Sequence, residues 1–356
     1  MKLIVCPLLL IACLCTGHAY TFTSTEGAKF DGEILRVRSD RVTVKRASDN
    51  REFTLSKSRF SSEDQQYFET WAETNRDLIV YSEVPGLEAS EHYSLSVKTM
   101  ADNDEWQKAF AFITLCKDGE SYFPGLSGWT NTYINFEMQR PVVVEIAKAN
   151  GDTIRSAVAH PRRKVSACEV KDGKAYVTIT EPCQIAVDID GQMDEQDTGK
   201  GYSGPPIHTV TIFANPVLKD RPKTNGAGVR IVRPGERPPH DGPWETLYFL
   251  PGVHDIGVGF PLHANRNYYI PGDAIVYGTM NNQNRWWDGR HIRIYGYGTL
   301  SGAKLPHPEF ASLPKESFGE YSPITIVGAT NTSVEGITIA DSAYHSLMLV
   351  TSYQPD

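Results

Sequence analysis

The chain has 356 residues, of which 40% are hydrophobic and 22% are charged, and it contains 29 glycines and 22 prolines. Single hydrophobic cores stop growing at roughly 250–300 residues, so this length predicts two or three domains. The formal net charge is -8, which provides neither the basic surface that binds nucleic acid nor a polybasic membrane signal. We therefore expect no nucleic-acid partner.

Residues 1–19 have the features of an export signal. Lys2 gives a positive start, Leu3 to Cys15 is almost entirely apolar, and Gly17-His18-Ala19 offers small residues for cleavage after Ala19. The apolar stretch is shorter than the roughly 20 residues of a membrane span, so we do not expect the chain to span a membrane. As an alternative, Leu10-Ile11-Ala12-Cys13 resembles a lipobox in which Cys13 would carry a lipid. Both routes predict a secreted or periplasmic protein.

Residues 20–75 form a first predicted unit. Three segments alternate apolar and polar residues, which is typical of half-buried strands: Phe30–Ile34, Arg41–Val44 and Glu52–Leu55. A helix should follow, with Ser62 as its capping residue and Gln65 reaching back in a capping box. Tyr67, Phe68 and Trp71 lie at helical spacing and predict one apolar face.

A family resemblance is carried by this first unit. The run Gly27…Phe30-x-Gly32-x-Ile34…Val42-x-Val44…Phe53-x-Leu55…Ser61-x-Glu63-Asp64 resembles the small SH3-like module called the Sla-one homology domain. The resemblance implies a small barrel. In eukaryotic adaptors this module binds short peptides, but in an exported chain we expect a protein or cell-wall partner.

Residues 90–216 form a second predicted unit, between linkers at residues 78–88 and 219–242. Short apolar segments separated by turn signals are typical of a β-sandwich. The predicted strands are Tyr93–Val97, Ala109–Cys116, Thr132–Phe136, Val142–Ile146, Ala175–Ile179, Ile185–Ile189 and Thr209–Phe213.

Three cysteines lie outside the export signal: Cys116, Cys168 and Cys183. If Asp172-Gly173 forms a two-residue hairpin turn, Cys168 faces Val177 rather than Cys183. Two alternatives remain open for the three cysteines: one disulfide together with a free thiol, or three buried thiols. The sequence has no Cys-x-x-Cys pair, and we expect neither a metal nor a cofactor.

Residues 243–356 repeat a short apolar strand followed by a turn rich in Gly, Pro, Asn or Asp. Strands this short are stable when they stack as rungs of a parallel coil. The predicted strands are Leu247–Leu250, Tyr268–Ile270, Ile292–Tyr295, Ile324–Val327, Gly336–Ile339 and Leu347–Val350. No capping segment follows the last strand, so we expect the front part of a longer protein. The predicted fold is all-β: a small SH3-like barrel, a β-sandwich and the start of a right-handed parallel β-helix.

A second resemblance covers roughly Ser94 to Asp356. The sandwich ends in Thr209–Pro216 and is followed by Tyr248–Gly257, Tyr268–Gly278 and the Gly-x-Gly run of Ile294–Gly302. This arrangement is similar to glycoside hydrolase family 49, the dextranase and isopullulanase family, and its clan relative family 28, the polygalacturonases. The resemblance implies inverting hydrolysis of O-glycosyl bonds without a metal, with two carboxyl groups about 6.5–9.5 Å apart.

The resemblance places catalytic acids on rungs after the segment matched by Gly336–Ser342, in an Asn-x-Asp motif and an Asp-Asp pair. Neither motif occurs after Ile339. Asp341 is better explained as a turn residue, and Asp356 is the final residue of the sequence. We therefore assign no catalytic residue and expect this chain alone to be inactive.

Four residues are candidate sugar contacts. Tyr344 and His345 follow the turn at which the resemblance implies the cleft entrance, and Trp286 and Trp287 are adjacent in an Asn-rich loop. Aromatic faces stack on sugar rings and histidine bonds hydroxyl groups. The alternatives are ordinary rung residues for the first pair and a cover of the coil for the second.

The sequence thus predicts an exported, polysaccharide-degrading glycoside hydrolase whose substrate sugar and linkage stay open. A non-catalytic carbohydrate-binding or surface-attachment protein is one alternative. A β-helix polysaccharide lyase is another, and it would require calcium ligands and a Lys or Arg base.

Overall fold

The computed structural model describes residues 20–37, 40–74, 76–101, 105–115, 128–192, 207–282, 285–308 and 311–350. The predicted export signal, Cys116 and Asp356 lie outside these ranges. The chain divides into two compact units, Met1–Arg76 and Asp77–Asp356. Strands dominate both units, which confirms the predicted all-β class.

The first unit is an antiparallel sheet with one helix. Its strands pair in chain order, and its core consists of Phe22, Val42, Val44, Phe60 and Phe68 with partly buried neighbours. The elements are β1 (Tyr20–Thr23), β2 (Lys29–Val37), β3 (Arg41–Arg46), β4 (Glu52–Ser56) and α1 (Ser62–Thr74). The three predicted strands and the helix are present, and the likeness to an SH3-like module stays a prediction.

The cap of helix α1 differs from the sequence prediction by one residue. The backbone N–H of Asp64 donates to the hydroxyl of Ser61 at 3.2 Å, so Ser61 rather than Ser62 caps the helix. Gln65 reaches back, but to the carbonyl oxygen of Phe60 at 2.9 Å. Serine occupies both position 61 and position 62, and the sequence alone does not show which of the two caps the helix.

The second unit begins with a two-layered β-sandwich. Its strands are β5 (Leu78–Val80), β6 (Tyr93–Thr99), β7 (Gln107–Ala109), β8 (Phe112–Leu115), β9 (Thr130–Met138), β10 (Val142–Lys148), β11 (Ala157–His160), β12 (Ala167–Lys171), β13 (Lys174–Ile179), β14 (Cys183–Ile189) and β15 (His208–Pro216). One sheet has the order β12-β13-β10-β6-β7, and the other has the order β11-β14-β15-β9-β5 with β8 also on β9. One apolar core contains residues of both sheets, as expected for a sandwich.

Two details of the sandwich differ from the sequence prediction. The segment expected as one strand from Ala109 to Cys116 contains the last residue of β7 and all of β8, and these two strands pair in different sheets. The expected linker at residues 78–88 contains β5, which pairs with β9. Short edge strands of three residues carry too few alternating positions to be recognised from the sequence.

The predicted hairpin at Asp172-Gly173 is confirmed. Both residues have positive φ angles, 51° and 75°, which a two-residue turn of this kind requires. Cys168 pairs in register with Val177, and the thiols of Cys168 and Cys183 are free. Burial raises the pKa of both thiols, which are therefore small, poorly reactive side chains.

The rest of the second unit is a parallel coil. Its strands are β16 (Val229–Val232), β17 (Thr246–Phe249), β18 (Gly252–Pro261), β19 (Asn267–Ile270), β20 (Ala274–Asn281), β21 (Arg293–Gly296), β22 (Thr299–Ser301), β23 (Ile324–Val327), β24 (Ser333–Glu335), β25 (Thr338–Ala340) and β26 (Leu347–Val350). One side has the order β16-β17-β19-β21-β24. The first half of β20 pairs with β22 and its second half with β23, so the coil has three sides.

Side chains at equivalent positions of successive rungs stack along the coil. Leu247 pairs with Tyr268, which pairs with Ile294, and all three are buried in the coil core. On the outside, the rings of Tyr248, Tyr269 and Tyr295 form a column with centroid separations of 4.8 Å and 5.1 Å. The predicted coil strands are present because apolar side chains of successive rungs pack on each other, whereas Leu347 and Leu349 of the last strand, β26, are exposed.

One expectation for the coil was wrong in detail. The expected linker at residues 219–242 contains β16, which pairs in parallel with β17 as a first rung. His254 and Asp255 lie inside strand β18. His254 is buried there, and burial lowers the pKa of its imidazole.

Candidate substrate cleft

The sandwich packs directly against one side of the coil. Phe110, Phe112 and Tyr133 of the sandwich share an apolar cluster with Ile275 of strand β20. The rings of Phe112 and Tyr133 stack at a centroid separation of 5.0 Å. The Tyr133 hydroxyl lies 3.0 Å from the Thr299 hydroxyl of strand β22. This contact fixes the sandwich beside strands β20 and β22.

A buried carboxylate strengthens the junction between sandwich and coil. Glu137 of strand β9 is fully buried, and it accepts hydrogen bonds from the Tyr81 hydroxyl and the Arg221 guanidinium. The backbone N–H of Leu218 also donates to it, at 2.8 Å. Burial, together with the adjacent Glu137 carboxylate, raises the pKa of Tyr81. Two of these three bonds, from Leu218 and Arg221, hold the segment that leads into the coil on the sandwich.

A cavity of about 650 Å³ opens next to this junction. The sandwich supplies one wall: Ile113, Thr114, Trp129, Thr130, Asn131, Tyr133, Thr209 and Phe213. The coil supplies the other: Gly302, Ala303, Leu305, His307 and the six residues from Thr338 to Ala343. Its size matches that of typical small-molecule sites.

Asn131 is a polar residue of the sandwich wall whose side chain is held by two threonines. The hydroxyls of Thr209 and Thr211 donate to its Oδ1 at 3.1 Å and 3.0 Å. These two bonds hold the amide in one orientation. A pre-oriented amide is a suitable hydrogen-bonding partner for a hydroxyl-rich ligand.

Asp341 contributes the carboxylate of the coil wall. It follows strand β25 with a φ angle of 47°, so it occupies a turn, as the sequence predicted. The Ser301 hydroxyl donates to its Oδ2 at 3.4 Å. Burial, with a smaller contribution from the Asp341 charge, raises the pKa of Tyr277.

Gly302 allows the two cavity loops of the coil to approach each other. Its N–H donates to the Ala340 carbonyl at 3.0 Å. A Cβ atom at Gly302 would lie 2.4 Å from the carbonyl oxygen of Asp341, closer than such contacts allow. The position of Asp341 therefore depends on glycine at 302.

Tyr344 and His345 lie at the edge of this cavity. Their rings are 4.2 Å apart and tilted by 49°. His307, which lines the cavity, makes an edge contact with Tyr344 at a centroid separation of 6.2 Å. The side chain of His345 is exposed. Their role as sugar contacts stays a prediction.

Trp286 and Trp287 lie at a different corner of the coil. They belong to a 3-10 turn, Trp286–Asp288, between β20 and β21. Asp288 ties this turn to the preceding rung by accepting the backbone N–H of Ala264 at 3.0 Å. Trp287 is exposed, and the side chain of Trp286 lies outside the described part of the structure. The two candidate pairs are thus separate, and neither tryptophan is among the described residues that line the cavity.

The lining residues that the sequence analysis missed come from distant parts of the chain. Trp129 and Asn131 lie on the sandwich, whereas His307 lies in a loop of the coil. Nothing in the local pattern around these residues marks them, because the cavity exists only where the two layers meet.

The described cavity has hydroxyls, an amide, aromatic rings and one carboxylate. Asp341 is the one acidic side chain among the lining residues that the structure describes, whereas inverting glycoside hydrolysis requires two. Among those same parts of the chain, no group of three or more His, Cys, Asp or Glu residues could hold a metal ion. No helix within the described ranges is long and apolar enough to cross a membrane.

Comparisons with known proteins give one curated relative and a set of solved structures, whereas no protein-family profile matches the chain. A dextranase from Arthrobacter globiformis is 23% identical over 305 residues, which cover 69% of this chain and 46% of the dextranase. The chain thus spans about half the length of this relative. The structure of Dex49A from Penicillium minioluteum aligns with a TM-score of 0.57 and 14% identity, over 79% of this chain and 63% of that one. This alignment shows a shared fold.

Proposed function

We propose that the chain forms the sandwich and leading coil of an exported glycoside hydrolase of the family 49 type, which cleaves a polysaccharide with inversion. The observation that carries the proposal is a sandwich followed by a parallel coil, aligned with Dex49A over 79% of the chain. The sequence match to a dextranase supports the same assignment.

A neutral glucan such as dextran is the proposed substrate class. The cavity presents the amide of Asn131, threonine hydroxyls and the rings of Trp129 and His307, and Asp341 is the one carboxylate among the lining residues that the structure describes. Such a surface suits a ligand of many hydroxyl groups and no net charge. Tyr344, His345, Trp286 and Trp287 are proposed to contribute further sugar contacts.

The catalytic carboxylates are proposed to lie on rungs stacked beyond β24–β26. Ile324 and Ile326 are fully buried, and Leu347 and Leu349 occupy the same inward positions one rung later. Yet Leu347 and Leu349 are 41% and 48% exposed, and a further rung stacked on β26 would bury them. Rungs sit about 4.8 Å apart, so acids one or two rungs apart can reach the separation that inversion needs.

A carbohydrate-binding or attachment protein without catalysis is the second candidate. The observation that favours it is the single carboxylate among the described lining residues. The two candidates make opposite predictions about bond cleavage but the same prediction about sugar binding.

The deciding experiment expresses the protein with whatever residues its reading frame encodes after Asp356 and incubates it with dextran. The release of reducing ends and the anomeric configuration of the first product, followed by NMR, are the two readouts. We expect cleavage with inversion, and none from the chain that stops at Asp356. No cleavage of any neutral glucan by the longer protein would favour the attachment candidate.

Export and the role of the first unit are further parts of the proposal. Cleavage after Ala19 would leave Tyr20 as the first residue, whereas lipidation would leave Cys13. The mass of the mature N-terminal peptide distinguishes these routes. The first unit is proposed to be an SH3-like module that binds a protein or the cell wall.

A further inference from the structure

The outer face of the sheet β12-β13-β10-β6-β7 has a row of polar and aromatic side chains. Neighbouring strands pair Glu169 with Tyr176, Tyr176 with Glu145, Glu145 with Ser96, and Ser96 with Lys108. These residues alternate with core residues such as Ala175 and Val177. Because side chains alternate between faces along a strand, the whole row points away from the sandwich core.

Trp106 lies over this row. It directly precedes strand β7, is 38% exposed, and is absent from the hydrophobic cores of the described residues. Its ring centroid is 6.2 Å from that of Tyr176, with an interplanar angle of 48°. The Lys98 ammonium lies 4.7 Å from the centroid of the Trp106 ring. Trp106 is thus held in place by Tyr176 and Lys98 while part of its ring is exposed, and an exposed aromatic face can pack against a ligand.

Hydrogen-bonding groups surround the two rings. Glu145 accepts the Tyr176 hydroxyl and the Lys174 ammonium, each at 3.0 Å. Charges of both signs lie on the face, with Glu145 and Glu169 among Lys98, Lys108, Lys171 and Lys174. The two carboxylates offset half of the positive charge, which weakens the field that a highly charged ligand would meet.

The chemistry of this face matches a pyranose chain. The C–H groups on one side of a sugar ring form a weakly positive apolar surface, which packs on the negative face of an aromatic ring. The sugar hydroxyls can then bond with Glu145, Ser96 and the lysines. An apolar partner would remove water from these charged groups without offering hydrogen bonds in its place, at a cost in free energy.

We propose that Trp106, Tyr176 and the polar row form a second glycan-binding surface that takes a neutral polysaccharide chain. The surface is separate from the cavity, whose sandwich wall comes largely from β8, β9 and β15 of the opposite layer. It would retain the polymer close to the cleft. The use of dextran as a probe rests on the proposed function.

The test is electrophoresis of the 356-residue chain in native gels with increasing concentrations of soluble dextran. We expect retardation of the wild-type chain, and at least tenfold weaker affinity in Trp106→Ala.

Val258→Ala is the matched control, because Val258 is 42% exposed and lies on the coil. Tyr176→Phe keeps the ring and should bind more tightly than Trp106→Ala. Urea unfolding of each variant confirms that it is folded.

Three results would overturn the proposal: no retardation of the wild type, equal retardation of wild type and Trp106→Ala, or equal affinity for polygalacturonate, which is strongly charged. His307→Ala separates this surface from the cleft. If His307→Ala alone loses retardation, the second surface is wrong and the cleft is the site of binding. Hydrolysis by the longer protein is measured independently. The proposed function can therefore fail while this surface binds glycan, and this surface can fail to bind while the proposed function holds.

Discussion

The hydroxyl of Tyr133 on sandwich strand β9 lies 3.0 Å from the hydroxyl of Thr299 on coil strand β22. Both side chains are buried, and Tyr133 also lines the cavity. The bond therefore joins the two walls of the candidate cleft at the place where they meet. It makes the cleft a property of the sandwich and coil together.

Loss of this bond should destabilise the second unit. Tyr133→Phe leaves the Thr299 hydroxyl without its buried partner, which costs about 1–3 kcal/mol. The midpoint of urea unfolding measures the change. Combining Tyr133→Phe with Thr299→Val removes both polar groups, so the double variant should lose less stability than the sum of the single variants. Additive losses would show that the two hydroxyls do not interact.

Removal of Arg221 should be more damaging than loss of a surface charge. Arg221→Met leaves the Glu137 carboxylate, which is fully buried, without its cation. Breaking a buried pair in this way costs roughly 3–5 kcal/mol. Arg230→Met is the control, since Arg230 pairs with Glu236 in a more exposed position and should change the unfolding midpoint little. Similar midpoints for both variants would contradict the role given to Glu137.

Substitution of Gly302 tests the geometry of the coil wall. Gly302→Ala places a methyl group 2.4 Å from the Asp341 carbonyl oxygen, so one backbone segment must move, at a cost of about 1–3 kcal/mol. We expect lower stability and weaker binding of dextran-derived oligosaccharide. Gly319→Ala is the control, because its added Cβ would meet no atom within 4 Å. Unchanged stability in Gly302→Ala would mean that the two loops are not in close contact.

His208 should make stability depend on pH. It stacks on His92 at a ring separation of 3.9 Å. Burial, followed by the charge of His92, lowers the pKa of His208. A lowered pKa means that, as the pH falls, the unfolded chain binds the proton before the folded chain does. The contribution of His208 to folding stability is therefore complete above about pH 6.5. It is lost as the pH falls from there through the folded pKa.

Urea midpoints between pH 8 and pH 5 provide the measurement for His208. The wild-type midpoint should decline below about pH 6.5, and His208→Gln should reduce that decline. His160→Gln is the comparison variant, because His160 is exposed at the end of strand β11. Parallel curves for wild type and His208→Gln would contradict the prediction.

Much of the fold could be predicted from local patterns. The coil strands were recognisable because short apolar segments alternate with turns rich in Gly, Pro, Asn or Asp, as at Pro271-Gly272. The Asp172-Gly173 turn fixed the register of its hairpin, including the pairing of Cys168 with Val177. In each case the information lies within a few consecutive residues.

The remaining errors have a common physical origin. Strands β5 and β16 are short edge elements that depend on pairing with a distant partner. The cavity also escaped prediction, because Asn131 and His307 line it from two layers that are distant in the sequence. The sequence indicated Tyr344 near the cleft through the family resemblance, and no pattern of spacing indicated it.

Titration calorimetry with an oligosaccharide cut from dextran tests the central claim most directly. The 356-residue chain is used in the Trp106→Ala background, so that the cavity alone is measured. The account predicts binding that weakens at least tenfold, about 1.4 kcal/mol, in both Asn131→Ala and His307→Ala. Binding that is absent from the Trp106→Ala parent, or as tight in both variants as in that parent, would contradict a polysaccharide site between the sandwich and the coil.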